Sequence, residues 1–281
     1  MQLELPAPAK INLFLHILGR RPDGYHELQS VFQFLELAAT VSFELTKEGI
    51  RVDMDRVSKK NNLVYMAADI LSEGRDVPGV NIMVTKRIPL GAGLGGGSSD
   101  AATTLHGLNM LWELGLSDDE LAELGLQIGA DVPVFVNGFS AFAEGIGERL
   151  APVDLPEVWY VVLVPESRIS TAEIFAHPDL TRDTSPITIA RFLQGETLRN
   201  DCEPVVQRLY PEVGDALDWL SQHGTARMTG TGACVFLEAS GEGVAREILS
   251  QSNWRGFVSK GTKHSVLLDE LLVQKRNLFQ N

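Results

Sequence analysis

The stretch Pro89-Leu90-Gly91-Ala92-Gly93-Leu94-Gly95-Gly96-Gly97-Ser98-Ser99-Asp100-Ala101-Ala102 decides the fold of this 281-residue chain. Five of the seven positions from 91 to 97 are glycine, and a backbone without Cβ atoms turns tightly and brings its N–H groups close to a ligand. Ser98 and Ser99 suit a helix N-cap, and the apolar residues that follow recur along one helical stripe. Free N–H groups and the helix dipole both point at an anion there. The stretch therefore predicts a phosphate site for a nucleotide.

Several kinds of glycine-rich segment compete for this pattern. A Walker A loop is excluded, because no lysine lies between residues 91 and 100. Gly91-x-Gly93-x-x-Gly96 matches a dinucleotide-binding fingerprint, so a nucleotide-dependent oxidoreductase remains an alternative function. Residues 80–85 alternate between apolar and polar, however, which is typical of a half-covered strand and not of a buried parallel one. A flexible linker is disfavoured, since linkers rarely separate a strand from a capped helix.

The composition bounds the class of protein. A hydrophobic content of 44% over 281 residues predicts one large or two ordinary domains. The formal net charge of −13 repels polyanions, so nucleic acid and acidic membranes are poor partners. Cys202 and Cys234 are the two cysteines of the sequence, too few and too far apart for a disulfide framework or a zinc site. The apolar run from Ile11 is broken by Asn12 and His16, so we expect neither a signal peptide nor a membrane span, and a cytoplasmic location.

Strand and helix signals are mixed along the chain, which predicts an α+β fold. Apolar alternation predicts strands at residues 11–18, 31–37, 40–45, 80–85, 134–136, 141–144 and 159–164. Helical patterns cover residues 63–71, 99–114, 118–128, 205–209, 213–222 and 243–249, with a terminal helix after residue 268. Ser117-x-x-Glu120 is a capping box for the third helix. The proline-marked residues 151–156 divide the chain into predicted domains 1–155 and 156–281.

Two segments carry candidate catalytic residues. Period two places Lys10, Asn12 and His16 on one face of the first strand and apolar residues on the other, core-facing side. Asp131 follows the end of a helix, and Pro133 biases the residue before it toward an extended conformation, so Asp131 lies on a stiff turn. Ordinary solvated side chains remain an alternative for the strand, and a turn aspartate bonded to its own backbone remains one for Asp131.

The glycine loop resembles a known family when it is taken with two other segments. Pro89-x-x-x-Gly93-Leu94-Gly95-x-x-Ser98-Ser99 is similar to the phosphate loop of the GHMP small-molecule kinases, such as galactokinase, homoserine kinase and mevalonate kinase. Pro8-Ala9-Lys10-Ile11-Asn12-Leu13-Phe14-Leu15 and Thr229-Gly230-Thr231-Gly232-Ala233-Cys234-Val235-Phe236 resemble its N-terminal and C-terminal motifs, in the right order. The resemblance implies an N-terminal nucleotide-binding domain, a C-terminal α/β sandwich domain and a cleft between them.

The same resemblance implies roles for particular residues. Asp131 would accept the proton of a substrate hydroxyl, and Lys10 would keep that carboxylate ionised. ATP with Mg²⁺ would bind along the loop and beside residues that border the adenine, namely Pro89, Leu90, Gly91, Ala92, Gly93, Leu94, Gly95, Gly96, Gly97, Ser98, Ser99, Asn62, Leu63 and Lys86. Asp100 has two open interpretations, a first-turn acid that suits the helix dipole and a magnesium ligand.

Arg21-Pro22-Asp23-Gly24-Tyr25-His26 reads on its own as a turn followed by a packed aromatic residue. It also resembles the GHMP branch that phosphorylates 4-diphosphocytidyl-2-C-methyl-D-erythritol. That resemblance implies a cytosine stacked between Tyr25 and Phe175, a polar contact from His26, and further substrate contacts from Asn12 and Thr171. The expected partners are these small molecules, and the expected assembly is a monomer or homodimer. A homoserine or mevalonate kinase is the alternative, and a catalytically dead sensor is disfavoured by the presence of both Lys10 and Asp131.

Overall fold

A long antiparallel hairpin organises the sheet. The structure is a computed structural model that describes residues 2–54, 62–196 and 198–278. Strand β1 (Gln2–Arg20) pairs with β2 (His26–Thr46) along most of its length. The predicted Pro-Asp-Gly turn joins them, and Gly24 takes a φ of 91° that favours glycine. The strands predicted at residues 31–37 and 40–45 are thus parts of the single strand β2.

The other strands extend this hairpin into one sheet. They are β3 (Ile50–Asp53), β4 (Gly79–Thr85), β5 (Ala141–Glu144), β6 (Arg149–Pro152), β7 (Trp159–Leu163), β8 (Ala226–Met228), β9 (Val235–Ala239) and β10 (Gly256–Thr262). The order is β3-β4-β2-β10-β7-β9-β8, with β1 and β5 also on β2 and β6 on β5. The β3–β4 pair is parallel, and the other named pairs are antiparallel. Strand β4 therefore does not lie in the parallel sheet that a dinucleotide fold requires.

Helices cover the sheet, as an α+β class requires. They are α1 (Leu63–Ser72), α2 (Gly96–Leu111), α3 (Asp118–Ile128), α4 (Val132–Asn137), α5 (Thr171–Ala176), α6 (Ile189–Leu193), α7 (Glu203–Leu209), α8 (Pro211–Ser221), α9 (Glu242–Ser250) and α10 (Val266–Leu278). The capping box of Ser117 and Glu120 at the start of α3 is confirmed, as is a helix after residue 268. Within the described ranges, no helix is both long enough and apolar enough to cross a membrane.

Three local predictions were wrong. Residues 134–136 form part of helix α4, because Pro133 suits a first helical turn and Gly138 (φ 65°) ends the helix after its sixth residue. Val132 is accordingly the first residue of that helix and is not extended. Helix α2 begins at Gly96, three residues before Ser99, and ends at Leu111. Its N-cap is Gly95, so neither Ser98 nor Ser99 caps it.

Two hydrophobic clusters form the interior. Strand β1 contributes to both, because a register shift between Asn12 and Leu15 interrupts the alternation. Ile11 lies in the larger cluster, with helices α1 and α2, and Leu15 lies in the smaller one, with α7 and α8. The expectation that the apolar residues of this strand share one core face was therefore wrong. The division at residue 155 stays a prediction, and both clusters draw side chains from both sides of it.

Candidate active site

One cleft brings together the three motifs of the family resemblance: the Lys10 segment, the glycine loop and the C-terminal glycine motif. It encloses about 700 Å³ and is lined by β1, by the turn between β1 and β2, by the glycine loop and by the segment before α4. The start of α5 and the turn at Gly230–Gly232 complete its wall. Nearly all of the predicted site residues line it: Lys10, Asn12, Tyr25, His26, Leu63, Asp131, Thr171, Phe175 and every residue from Pro89 to Ser98. Asn62, Lys86 and Ser99 do not.

The glycine loop holds a conformation that side chains would disturb. Gly95 has a φ of 71°, and a Cβ built there would lie 2.6 Å from the Phe135 ring and 3.0 Å from Cε of Lys10. The loop is also tied to β1, since the backbone N–H of Lys10 donates to the Leu94 carbonyl at 3.1 Å. The N-terminal N–H groups of α2 follow directly after Gly95. The loop can therefore present backbone N–H groups to an anion with little space for anything else.

Lys10 and Asp131 face each other at the end of this loop. The Lys10 ammonium lies 3.4 Å from the Asp131 carboxylate and donates to the Asn12 amide oxygen at 2.6 Å. Asp131 is the N-cap residue of α4, but its side chain makes no capping hydrogen bond. The interpretation of Asp131 as an aspartate bonded to its own turn is therefore not what the structure shows. A fixed cation beside an available carboxylate places a candidate proton acceptor next to a positive charge that can offset charge at a reacting oxygen.

A threonine hydroxyl joins the three motifs. The Thr229 Oγ1 accepts from the backbone N–H of Asn12 at 2.9 Å and donates to the Gly93 carbonyl at 3.2 Å. Behind it, the Asn200 amide donates to the carbonyls of Met228 and Gly230 at 2.9 and 2.7 Å. Sequence reasoning missed both residues as parts of the site, although Thr229 lies within the C-terminal motif that had been recognised. His16, which was grouped with Lys10 and Asn12, lies outside the cleft lining.

Aromatic residues gather on the part of the cleft wall that the β1–β2 turn, the start of β2 and α5 form. Tyr25 is 58% exposed, whereas His26 is buried and its ring centroid lies 5.1 Å from that of Phe175. The Thr171 and Thr231 hydroxyls are 2.9 Å apart. Burial lowers the pKa of His26 below its usual value, and the positive charges of Arg182 and Arg20 lower it further. At neutral pH this part of the cleft thus offers exposed ring surface and a neutral imidazole.

Three residues expected near the adenine behave differently from one another. Leu63 lines the cleft, whereas the Asn62 side chain caps helix α1 by accepting from the N–H of Val64 at 3.0 Å. Lys86 is half-buried and forms an ion pair with the Asp100 carboxylate. The side chains of Asn62 and Lys86 are therefore engaged in structural contacts.

Oxygen atoms beside the glycine loop fit a bound cation. Burial raises the pKa of Asp100 to about 6 despite the nearby Lys86. The Oδ1 of Asp100 and the Oγ of Ser99 are buried without hydrogen-bond partners. No group of three or more His, Cys, Asp or Glu side chains suited to a metal occurs in the described part of the chain. Such a donor set suits Mg²⁺ that is held mainly through nucleotide phosphates and a few protein oxygens.

Comparison with known proteins gives matches in both halves of the chain. Residues 62–139 match the GHMP kinases N terminal domain, and residues 187–253 match the GHMP kinases C terminal family. A 4-diphosphocytidyl-2-C-methyl-D-erythritol kinase of Marinobacter nauticus is 54% identical, over 96% of this chain and 98% of its own length. The protein of the same name from Nitrosococcus oceani is 52% identical, over 94% and 96%.

Solved structures give the same result. A crystal structure of 4-(cytidine 5'-diphospho)-2C-methyl-D-erythritol kinase matches with a TM-score of 0.80 and 35% identity, over 92% of this chain and 99% of that one. Homoserine kinase from Cytophaga hutchinsonii matches with a TM-score of 0.67 at 15% identity, over 94% and 95% of the two chains. The second likeness concerns the fold alone. Together the matches confirm the predicted GHMP fold class.

Proposed function

The chain belongs to the 4-diphosphocytidyl-2-C-methyl-D-erythritol kinases of the GHMP superfamily, and from that premise we propose that it phosphorylates the 2-hydroxyl of this diphosphocytidyl alcohol at the expense of ATP. The product is the 2-phosphate, a step of the non-mevalonate isoprenoid route. One observation supports the proposal above others. Lys10 and Asp131 meet between a loop that suits phosphates and a group of aromatic residues that suits a base. The acceptor hydroxyl and the phosphate donor can therefore meet at this pair.

Phosphoryl transfer asks mainly for positioning and charge stabilisation. Backbone N–H groups of residues 91–97 bind the phosphates, and Asp131 accepts the hydroxyl proton as the oxygen attacks. Lys10 offsets negative charge at the reacting oxygens. When bound, Mg²⁺ neutralises phosphate charge, and the oxygens of Ser98, Ser99 and Asp100 are the groups that would hold it. Leu63 packs near the adenine. Asn62 and Lys86 also belong to the adenine site, although they lie behind the residues that line the cleft.

The substrate binds at the part of the cleft where the aromatic residues gather. Tyr25 and Phe175 stack on the two faces of the cytosine, and His26 contacts its polar edge. Asn12 and Thr171 hold the alcohol and its phosphates. Exposed ring surface at Tyr25 supports the stacking role, because a solvent-facing tyrosine at a cleft rim has ring area free for a base.

An ATP-consumption assay over a panel of alcohols tests this function. The panel holds the diphosphocytidyl alcohol, homoserine, mevalonate and galactose, each with and without Mg²⁺. We expect turnover that depends on the diphosphocytidyl alcohol and on Mg²⁺. Equal turnover of homoserine or mevalonate would identify another GHMP kinase. If no alcohol supported ATP consumption, the assignment as a kinase would be contradicted.

The cellular location and the oligomeric state of the enzyme can also be proposed. We propose that it works in the cytoplasm, where its two buried free cysteines stay reduced. We also propose that it works as a monomer or homodimer, since all the site residues named above come from one chain. Size-exclusion chromatography with light scattering distinguishes these states, and a trimer or larger assembly would contradict both.

A further inference from the structure

A single guanidinium contacts two residues of the predicted base pocket, His26 and Phe175. Arg182 donates from Nε to Nε2 of His26 at 3.1 Å, and from one terminal nitrogen to the carbonyl of Phe175 at 2.9 Å. Further bonds to the carbonyls of His177 and Leu180, at 2.7 and 3.0 Å, fix its position. Arg182 is half-buried and does not line the cleft. It therefore acts on a ligand only through the residues that it holds.

The contact with His26 determines where that ring carries its proton. A guanidinium has donors and no acceptor, so the Nε2 of His26 must accept. A neutral imidazole whose Nε2 accepts carries its hydrogen on Nδ1. Protonation of Nε2 would set two N–H groups against each other and place a second positive charge beside Arg182. The charges that act on the ring are those of Arg182 and of Arg20 on β1, and both are positive.

From this geometry we infer that Arg182 is a positioning residue that holds His26 as a neutral Nδ1–H donor and so makes the cleft prefer cytosine over uracil. The inference rests on the proposed function for its choice of base. N3 of cytosine is an acceptor, whereas N3 of uracil carries a hydrogen. A ring fixed as a donor pairs with the first and leaves an unpaired donor against the second, which is costly in a buried site.

Nitrogen-15 NMR of histidine-labelled protein tests the first half of the inference. In the wild type we expect His26 as the Nδ1–H tautomer. In Arg182→Met we expect the Nε2–H tautomer to gain population and the pKa of His26 to rise, because a donor and a positive charge are lost. Arg182→Lys keeps a charged donor and should retain the Nδ1–H form. Arg246→Met, which removes an exposed arginine of α9 that pairs with Glu242, is the matched control and should leave His26 unchanged.

Kinetics with diphosphocytidyl and diphosphouridyl alcohols test the second half. In Arg182→Met the KM for the cytidyl substrate should rise by about 5- to 150-fold, the scale of one buried polar group left unpaired, while the KM for ATP stays constant. The ratio of cytidyl to uridyl turnover should fall, and Arg182→Lys should restore much of it. A variant that merely loosened the fold would lower the turnover of both substrates without changing the tautomer of His26.

The outcomes separate this inference from the function on which it rests. A wild-type His26 that is protonated on Nε2 overturns the inference whatever the substrate is. A tautomer shift in Arg182→Met with an unchanged cytidyl preference overturns it as well. If the wild type does not turn over the cytidyl alcohol, the proposed function fails, and the base preference claimed for Arg182 falls with it.

Discussion

The Lys10 ammonium and the Asp131 carboxylate lie 3.4 Å apart, yet the first side chain is 3% exposed and the second 37%. The lysine is further held by the Asn12 amide oxygen and by the Gly93 carbonyl at 3.4 Å. The two partners therefore differ, because the cation is fixed and buried whereas the carboxylate is partly exposed and lines the cleft. This arrangement suits a base that must meet a substrate.

Asp131→Asn removes the proton acceptor and keeps the size of the side chain. We expect kcat to fall by about 10²- to 10⁴-fold, since this is the usual contribution of a general base, with a modest change in either KM. Lys10 keeps its bonds to Asn12 and Gly93, so the thermal midpoint should change little. Steady-state kinetics and a melting curve check this. Turnover near the wild-type level in a folded variant would show that the base is elsewhere.

Two glycines of the loop allow a matched pair of substitutions. Both have positive φ, but a Cβ at Gly95 meets Phe135 and Lys10, whereas one at Gly91 meets nothing within 4 Å. Gly91→Ala should cost about 1 kcal/mol of unfolding free energy from backbone strain alone. Gly95→Ala should cost about 1–3 kcal/mol more from overpacking, and should also raise the KM for ATP. Urea unfolding and ATP titration measure both, and equal effects of the two variants would contradict the close packing at Gly95.

Tyr25→Ala tests the stacking role of the exposed ring. One base–aromatic stack is worth about 1–3 kcal/mol, so the KM for the cytidyl substrate should rise by roughly 5- to 150-fold. The KM for ATP and the stability should stay close to wild type, because the ring is exposed and belongs to the turn between β1 and β2, not to the glycine loop. CMP should inhibit the wild type competitively and the variant much less. Loss of ATP affinity instead would mean that Tyr25 serves the nucleotide.

Asp100 predicts a specific pH dependence of stability. Burial raises its pKa from 3.8 to about 6 in the folded chain, so between these values the folded state binds more protons than the unfolded state. The contribution of Asp100 to stability is therefore fully present below pH 3.8 and is lost as the pH rises through 6. The unfolding free energy of the wild type minus that of Asp100→Asn should fall between pH 4 and pH 7. Chemical denaturation at both pH values checks this, and a difference that rises with pH would contradict it.

The sequence predicted the site better than it predicted the strands around it. Pro89 to Ser98, Lys10 and Asp131 could be found because glycine spacing and a lysine in a fixed motif are local signals. The role of Thr229 depends on contacts with Asn12 and Gly93, more than 130 residues away in the chain, and no local pattern carries that information. The same holds for Arg182, whose partner His26 lies 156 residues away.

Periodicity failed where tertiary contacts overrode it. Residues 134–136 are apolar and β-branched in part, which is typical of a strand. They instead form a short buried helix, which Pro133 helps to start and Gly138 ends. In β1, a bulge after Asn12 moved Leu15 into the second cluster and separated His16 from Lys10. An alternating pattern does not reveal a bulge, because one extra residue shifts every later side chain to the other face.

The two interwoven cores have a consequence for synthesis on the ribosome. Leu267 and Leu271 of α10 belong to the same cluster as Leu5 and Ile11 of β1, and Leu15 and Ile17 of β1 belong to the cluster built around α7 and α8. The first core thus cannot be completed until α10, the last of the described helices, has left the exit tunnel. Until then the nascent chain carries the long apolar strands β1 and β2 with part of their packing missing. Ribosome-bound intermediates of this chain should accordingly be ready substrates for chaperones that bind exposed apolar segments.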